Sequence, residues 1–470
     1  MLSDRGVFWW SDTPIPDNQF APDDGVAGLL TISETGRISI ELDGVLSSPE
    51  GHMPVFNQGP IPAGRSIAGL LKAENKRILA SSLSRNGGAW RTAGLSSENY
   101  AAFYCLVSNS TIPPKRLVRA IVFDLTGYEE WLFLGRLGTK FTSRSLTLTH
   151  RTQPDARFRN EAGSLRLVRD MTVNQEGTNG ARGTLVRERA WLKFAPRHAM
   201  SIAKVTETFG AMQDFLILLT GSEYQMPPPE VVLTSGERAN LYFPRMKSSR
   251  SAPQAHECAL PFGQVEGILG DLFFGWLKAR TELAAGAYLY LATRRGLDIY
   301  QEHRFLNLMT GLEAYHRAEF GDGDLTEFNE KVARISGQVS ALRDRSWLKK
   351  RLKNLGGPSL EERLWALLET VPAPLEELAL RGFLSECARV RNQIAHQGRS
   401  TDADASKNPI HWLSVRSAIV SDLYHARLLL EIGAPKALVE RWLAIGPSAS
   451  TLAWYLRQAG LEVRSRTPAS

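Results

Sequence analysis

Glu386-Cys387-Ala388-Arg389-Val390-Arg391-Asn392-Gln393-Ile394-Ala395-His396-Gln397-Gly398 reads as the closing turns of a helix that stops at a glycine. It gathers two arginines, one amide and one histidine. Arginine supplies a planar, permanently charged fork that matches a phosphate, and histidine takes and returns a proton near neutral pH. Cleaving RNA without a metal needs a group that accepts the 2′-hydroxyl proton, one that protonates the leaving 5′-oxygen, and positive charge facing the phosphorane. Holding the 2′-oxygen in line with the scissile bond lowers the rest of the barrier. At ~100° per residue, Arg391 lies about 140° from His396 around an ideal helix, Asn392 within roughly 40° and Arg389 within roughly 20°. Either arginine therefore qualifies as the phosphate ligand. The plain alternative is a solvated helix end whose Arg and His complement the dipole, worth a few tenths of a kcal/mol.

Around this segment nearly everything is helical. Apolar periodicity predicts helices over Gln264–Leu283, Tyr300–Phe320, Glu327–Val339, Ser346–Leu355, Leu360–Val371, Leu375–His396 and Trp412–Ile432, so the second half is an α-helical bundle. On the Tyr300–Phe320 helix, Phe305, Met309, Leu312 and His316 form one stripe, which makes His316 a core-edge residue. Glu313 is either an exposed carboxylate or a partner that orients the Arg or His of the site. The run from Arg343 to Lys353 is the densest basic patch. There Arg345, Lys349, Lys350 and Arg351 are candidate RNA contacts beside Trp347, and a solvated helix face is the alternative. Two short amphipathic segments follow, Leu438–Ala444 and Leu452–Leu461, and the tail from Arg464 to Ser470 is expected to fray.

The first half has a different period. Leu30, Ile32, Ile38, Ile40 and Leu42 alternate around Glu34-Thr35-Gly36, the pattern of a β-hairpin with one wet face. Short strand-like runs recur at Tyr100–Val107, Leu117–Leu125, Ser145–Thr149, Ser164–Val168, Leu185–Phe194 and Val231–Phe243, separated by turn-forming residues. They predict a sandwich or a strongly curved sheet. Between them Ser201–Gly221 reads as a helix, ended by Pro227-Pro228-Pro229, and Lys247–Pro253 reads as a linker. The expected class is α+β multidomain: a β-rich domain over 1–250, a helical domain over 251–435 and a helical extension over 436–470.

Several function classes drop out. Hydrophobic residues at 43% and charged residues at 22% exclude a disordered chain, and 470 residues exceed what one core usually holds. The net charge of +7 favours a polyanionic partner weakly. Cys105, Cys258 and Cys387 form neither a disulfide framework nor a metal knuckle, so a reducing compartment is expected, with no cofactor and no metal. No apolar run is long enough for a signal peptide or a membrane span, so the protein is expected to be cytoplasmic, without a membrane partner. Phosphate-cradling, zinc-protease and nucleophile-elbow motifs are missing.

Arg391-Asn392-Gln393-Ile394-Ala395-His396 resembles the HEPN signature, an Arg followed by a polar residue and then a His after four to six positions. The hairpin over Gly28–Leu42 is similar to the N-terminal domain of the ApeA family of bacterial anti-phage proteins, and Phe305–Arg317 looks like an early HEPN helix. The polar residue directly after Arg391 favours it over Arg389. The resemblance implies a metal-independent endoribonuclease that cuts host RNA, tRNA among its targets, in abortive infection, with two HEPN domains paired across one cleft. In that reading His396 shuttles protons, Arg391 binds the scissile phosphate, Asn392 holds the nucleophile, and a phage-derived trigger acts through the front half. The competing readings are a non-catalytic HEPN dimerisation or RNA-binding module with a β-rich ligand-binding domain, and a carbohydrate- or protein-binding β-domain on a helical scaffold.

Overall fold

The computed structural model describes residues 1–46, 61, 64–89, 96–113, 116–134, 138–149, 154–176, 183–246, 250–295, 299–321, 323, 325–352, 356–397 and 408–464. Two compact units emerge, Met1–Gln213 with Tyr224–Ser251, and Asp214–Glu223 with Ala252–Ser470.

The first unit is β-rich. Strands β1 (Leu2–Trp10), β2 (Val26–Ile32), β3 (Ile38–Leu42), β4 (Ile67–Leu71), β5 (Arg77–Ala89) and β6 (Ser97–Ser108) pair antiparallel in the order β6-β3-β2-β1-β4-β5, and β5 pairs with β6 to close a ring. Period-two alternation sends Phe8, Trp10, Leu30, Ile32, Ile38, Ile40, Ile67, Leu71, Ile78 and Tyr100 into one buried cluster inside it. Of the two expected forms, a sandwich or a strongly curved sheet, the second is found, with the curvature carried through to a closed ring. Its corner lies at Ser82, in the left-handed region at φ 54°, between the pairs Ser81↔Tyr104 and Leu83↔Ala102. There the inward set on β6 switches from Tyr100 and Ala102 to Cys105 and Val107. Such a switch bends both strands, and no turn residue in the sequence announces it. At the β2–β3 turn, Gly36 takes φ +74° and packs so closely on the Phe243 carbonyl that any side chain would collide.

The second edge of β6 also carries an open sheet. From β6 the order runs through β14 (Arg238–Tyr242), β13 (Glu230–Leu233), β7 (Val118–Asp124), β12 (Gly183–Pro196) and β11 (Gly163–Glu176) to β10 (Ala156–Asn160), while β8 (Gly138–Thr142) and β9 (Ser145–Thr149) form a separate hairpin. The expected Val231–Phe243 run is two strands, split by a turn at Gly236 with φ +108°. Helix α1 (Ile202–Thr220) begins in this unit, where Phe209 packs on Phe123 and Phe243.

The second unit is helical. It contains α2 (Phe262–Val265), a 3-10 turn (Glu266–Ile268), α3 (Leu269–Leu283), α4 (Ala285–Arg294), α5 (Gln301–Phe320), α6 (Thr326–Gly337), α7 (Leu342–Leu352), α8 (Leu360–Leu368), α9 (Glu377–Gln397), α10 (Pro409–Glu431), α11 (Lys436–Ala444) and α12 (Pro447–Gln458). The expected Gln264–Leu283 helix is broken at its start, and Ala284 at φ 42° separates α3 from α4. The end of α1 belongs here because Asp214, buried, pairs with Arg295 and Arg280, and Phe215 packs on Phe273 at 5.4 Å. Residues beyond 435 join the same core: Val439, Leu443, Leu452 and Leu456 are buried, and the Trp442 ring packs at a tilt 4.8 Å from that of His425. Arg464, expected to fray, is tied down by an ion pair to Glu376 and by its backbone N–H, which donates to the Pro374 carbonyl at 3.0 Å. Residues 465–470 lie outside the described residues. Among the described residues no helix is long and apolar enough to cross a membrane.

Candidate active site

Helix α9 exists because Leu380, Phe383, Leu384, Cys387 and Val390 recur at helical spacing and are all buried. Its last turns carry the signature. Arg391 meets Glu313 on α5, Nη2 to Oε2 at 2.6 Å. Both side chains are about one-fifth exposed, 19% and 20%. The other Glu313 oxygen accepts from Arg317 at 3.0 Å, one helical turn on. Arg391 Nη1 donates to Asn392 Oδ1 at 3.1 Å, and its Nε is buried without a hydrogen-bond partner among the described residues. Glu313 is thus neither a bare surface carboxylate nor remote from the signature. It fixes one edge of the guanidinium and leaves another edge able to donate.

The neighbouring face of α9 opens on a cavity of about 570 Å³ against the start of α8. Arg389, Asn392, Gln393, Ser385, Ser359 and Glu361 line it. Ser359 caps α8 in a reciprocal pair with Glu362, and Ser385 Oγ donates to Glu361 at 2.7 Å, so the wall is held by polar contacts on both sides. The His396 side chain and Gly398 lie outside the described residues. Arg389 and Arg391 therefore address different surfaces, one the cavity and one the α5 carboxylate.

The other candidates sort by burial. His316 is buried, 3.4 Å through Nδ1 from Arg363 Nη1, and packs on Phe320, as a core-edge residue does. The Tyr315 hydroxyl donates to Glu431 at 2.8 Å beside Arg427, and burial raises its pKa. Cys387 sits in the core, where desolvation pushes its thiol far above the ordinary range, so it offers no nucleophile. On α7, Arg345 is half-buried and turned to the end of α6. Its Nε and Nη2 both donate to the Val339 carbonyl, at 3.0 and 2.8 Å, capping the end of α6. Lys349, Lys350 and Arg351 are exposed, and Arg351 lies 5.8 Å from the ring of Trp347, itself 59% exposed.

Sequence reasoning missed the cavity wall of Ser359, Glu361 and Ser385, although the Ser359-x-x-Glu362 box is a readable helix start. It also missed Arg416, buried on α10, which pairs with Glu386 at 3.4 Å and covers Trp412 at 4.4 Å.

A helical unit with a signature arginine and histidine at the end of one long helix defines a HEPN-type protein. The model of the Apea-like HEPN family matches residues 306–438, and that of ApeA N-terminal domain 1 matches residues 5–249, more than half of the chain. The chain belongs to the ApeA family, a family of anti-phage HEPN proteins. Neither the curated proteins nor the solved structures returned a match.

Proposed function

We propose that the helical unit is a metal-independent endoribonuclease that cuts host RNA, tRNA among its targets, when a phage-derived trigger acts. The observation that carries this is the Arg391–Glu313 pair: a guanidinium held at 2.6 Å by a carboxylate from another helix, with a second edge turned to Asn392. Such anchoring costs no reorganisation when a phosphate arrives. In the reaction the 2′-oxygen attacks phosphorus and the P–O5′ bond breaks. One histidine takes the 2′ proton and one returns a proton to O5′, leaving a cyclic phosphate and a 5′-hydroxyl. His396 supplies the imidazole, Arg391 faces the phosphorane, and Asn392 positions the nucleophile. HEPN domains typically pair, and a homodimer through this unit brings two copies of the signature to one cleft.

Arg389 lines the cavity beside Asn392 and is assigned to the flanking RNA, as are Lys349, Lys350 and Arg351 on α7. Arg345 stays in that set, with two of its donors held by the Val339 carbonyl. The test compares RNA cleavage by the natural protein with Arg391→Ala, Arg389→Ala and His396→Ala. Loss with Arg391→Ala and His396→Ala supports the reading. Equal RNA profiles in all four proteins favour a non-catalytic RNA-binding module.

A further inference from the structure

The open end of the first unit's sheet has one face turned away from the core. Leu165, Leu167, Ala190, Leu192 and Phe194 turn inward and are buried, so their alternates on β11 and β12 face away from that core. Strand register then arranges the outward residues in rows. Arg157 on β10 stands opposite Arg166 on β11, which stands opposite Lys193 on β12. Like charges placed directly across strands destabilise a sheet. Arg166 is countered by Asp155 at 2.8 Å, and neither Arg157 nor Lys193 makes an ion pair among the described residues.

The next row is apolar. Val168 pairs with Trp191, which is only partly buried, with Asp124 beyond it. After that comes Asp170 opposite Arg189, and then Thr172 opposite Arg187, both arginines exposed. Along β12 the cations and the indole repeat at every second residue from Arg187 to Lys193, a track of roughly 20 Å at ~3.3 Å per residue. An aromatic platform with a basic row on one side and Arg189, opposite Asp170, on the other suits a chain of phosphates carrying unpaired bases. A duplex hides the base faces that an indole would stack on, so the ring favours an unpaired strand.

We propose that the outward face of β10, β11 and β12 is a second RNA-binding site, which takes unpaired RNA by stacking on Trp191 between the Arg157–Arg166–Lys193 row and Arg189. This stands apart from cleavage in the helical unit.

The test is fluorescence anisotropy of the full chain carrying Lys349→Glu and Lys350→Glu, which silences the α7 contact. The probe is an unpaired RNA of roughly twelve nucleotides with 2′-O-methyl sugars, which offer no 2′-hydroxyl nucleophile. Binding persists in this background and falls at least tenfold when Arg157→Glu and Lys193→Glu are added, with the thermal unfolding curve unchanged. The slope of log affinity against log salt drops by ~0.7 for each cation lost. Trp191→Leu weakens binding roughly fivefold or more, whereas Trp191→Phe retains it. Binding within twofold of the background after both charge reversals overturns the proposal, and so does an absence of binding in the background. Equal affinity for duplex RNA, or binding to phosphatidylserine vesicles in place of RNA, overturns it as well.

Discussion

The ends of α7 and α9 both carry cations, and they are built in opposite ways. On α9, Arg391 is four-fifths buried, clamped by Glu313 at 2.6 Å and in contact with its neighbour Asn392. On α7, Lys349, Lys350 and Arg351 are exposed, with no buried residue on the helix. A clamped guanidinium has lost its rotamer freedom before substrate arrives, so it can act on a reacting phosphate whose charge changes over fractions of an ångström. A flexible ammonium holds a polyanion in many poses and senses only its charge. The first arrangement suits chemistry and the second suits grip.

Substitutions can break that contrast. The largest effect is expected from Arg391→Ala and His396→Ala, each lowering the cleavage rate about 10²–10³-fold while the affinity for uncleavable RNA changes little. If both variants instead lose affinity and keep their turnover, the clamped arginine is only another gripping residue. Next comes Glu313→Gln, which keeps the shape and removes the charge. It should lower cleavage roughly tenfold and cost about 1–3 kcal/mol of stability, because Arg391 is left partly desolvated; a rise in activity would mean that Glu313 blocks the site. Smaller again, Lys349→Glu with Lys350→Glu should raise KM several-fold with kcat unchanged and flatten the salt dependence, read from initial rates at a series of salt concentrations. Cleavage by the natural protein should persist in EDTA.

The smallest effect concerns a different histidine. His425 is fully buried, its Nε2 2.7 Å from the Leu218 carbonyl, and burial, helped by Arg294, lowers its pKa to about 3. A pKa lowered on folding means that the unfolded chain binds the extra proton first. The neutral ring's stability is present above about pH 6.5 and is lost progressively as pH falls toward 3. His425→Gln keeps a donor for Leu218 and should flatten the loss of thermal stability across that window. An unchanged pH profile would locate the acid sensitivity elsewhere.

Much of this was legible in the residues themselves, and the exceptions have causes. The period-two run around Glu34-Thr35-Gly36 and the helical stripe of Phe305, Met309, Leu312 and His316 are local patterns, and both became the expected elements. Ring closure by β5 and β6 depends on pairing residues such as Arg77 and Ser108 through a corner at Ser82, and Ser82 carries no turn signature. At the site, the spacing of Arg389, Arg391 and His396 was readable. Glu313 was readable as a candidate partner of that Arg or His, but the pattern alone did not separate it from an exposed glutamate on an amphipathic helix, and its pairing with Arg391, 78 positions away, is set by the packing of α9 on α5. Arg345 shows the converse: within a basic run it reads as one more RNA contact, yet the turn between α6 and α7 brings the Val339 carbonyl within its reach.

The most direct measurement is the chemistry of RNA ends after the protein is induced in cells, read by sequencing that distinguishes cyclic phosphate from 3′-hydroxyl termini. New breaks bearing a cyclic phosphate and a 5′-hydroxyl, present with the natural protein and missing with His396→Ala, are the expected result. Breaks ending in 3′-hydroxyl groups, or the same breaks in the His396→Ala variant, would contradict cleavage by 2′-hydroxyl attack at this helix end.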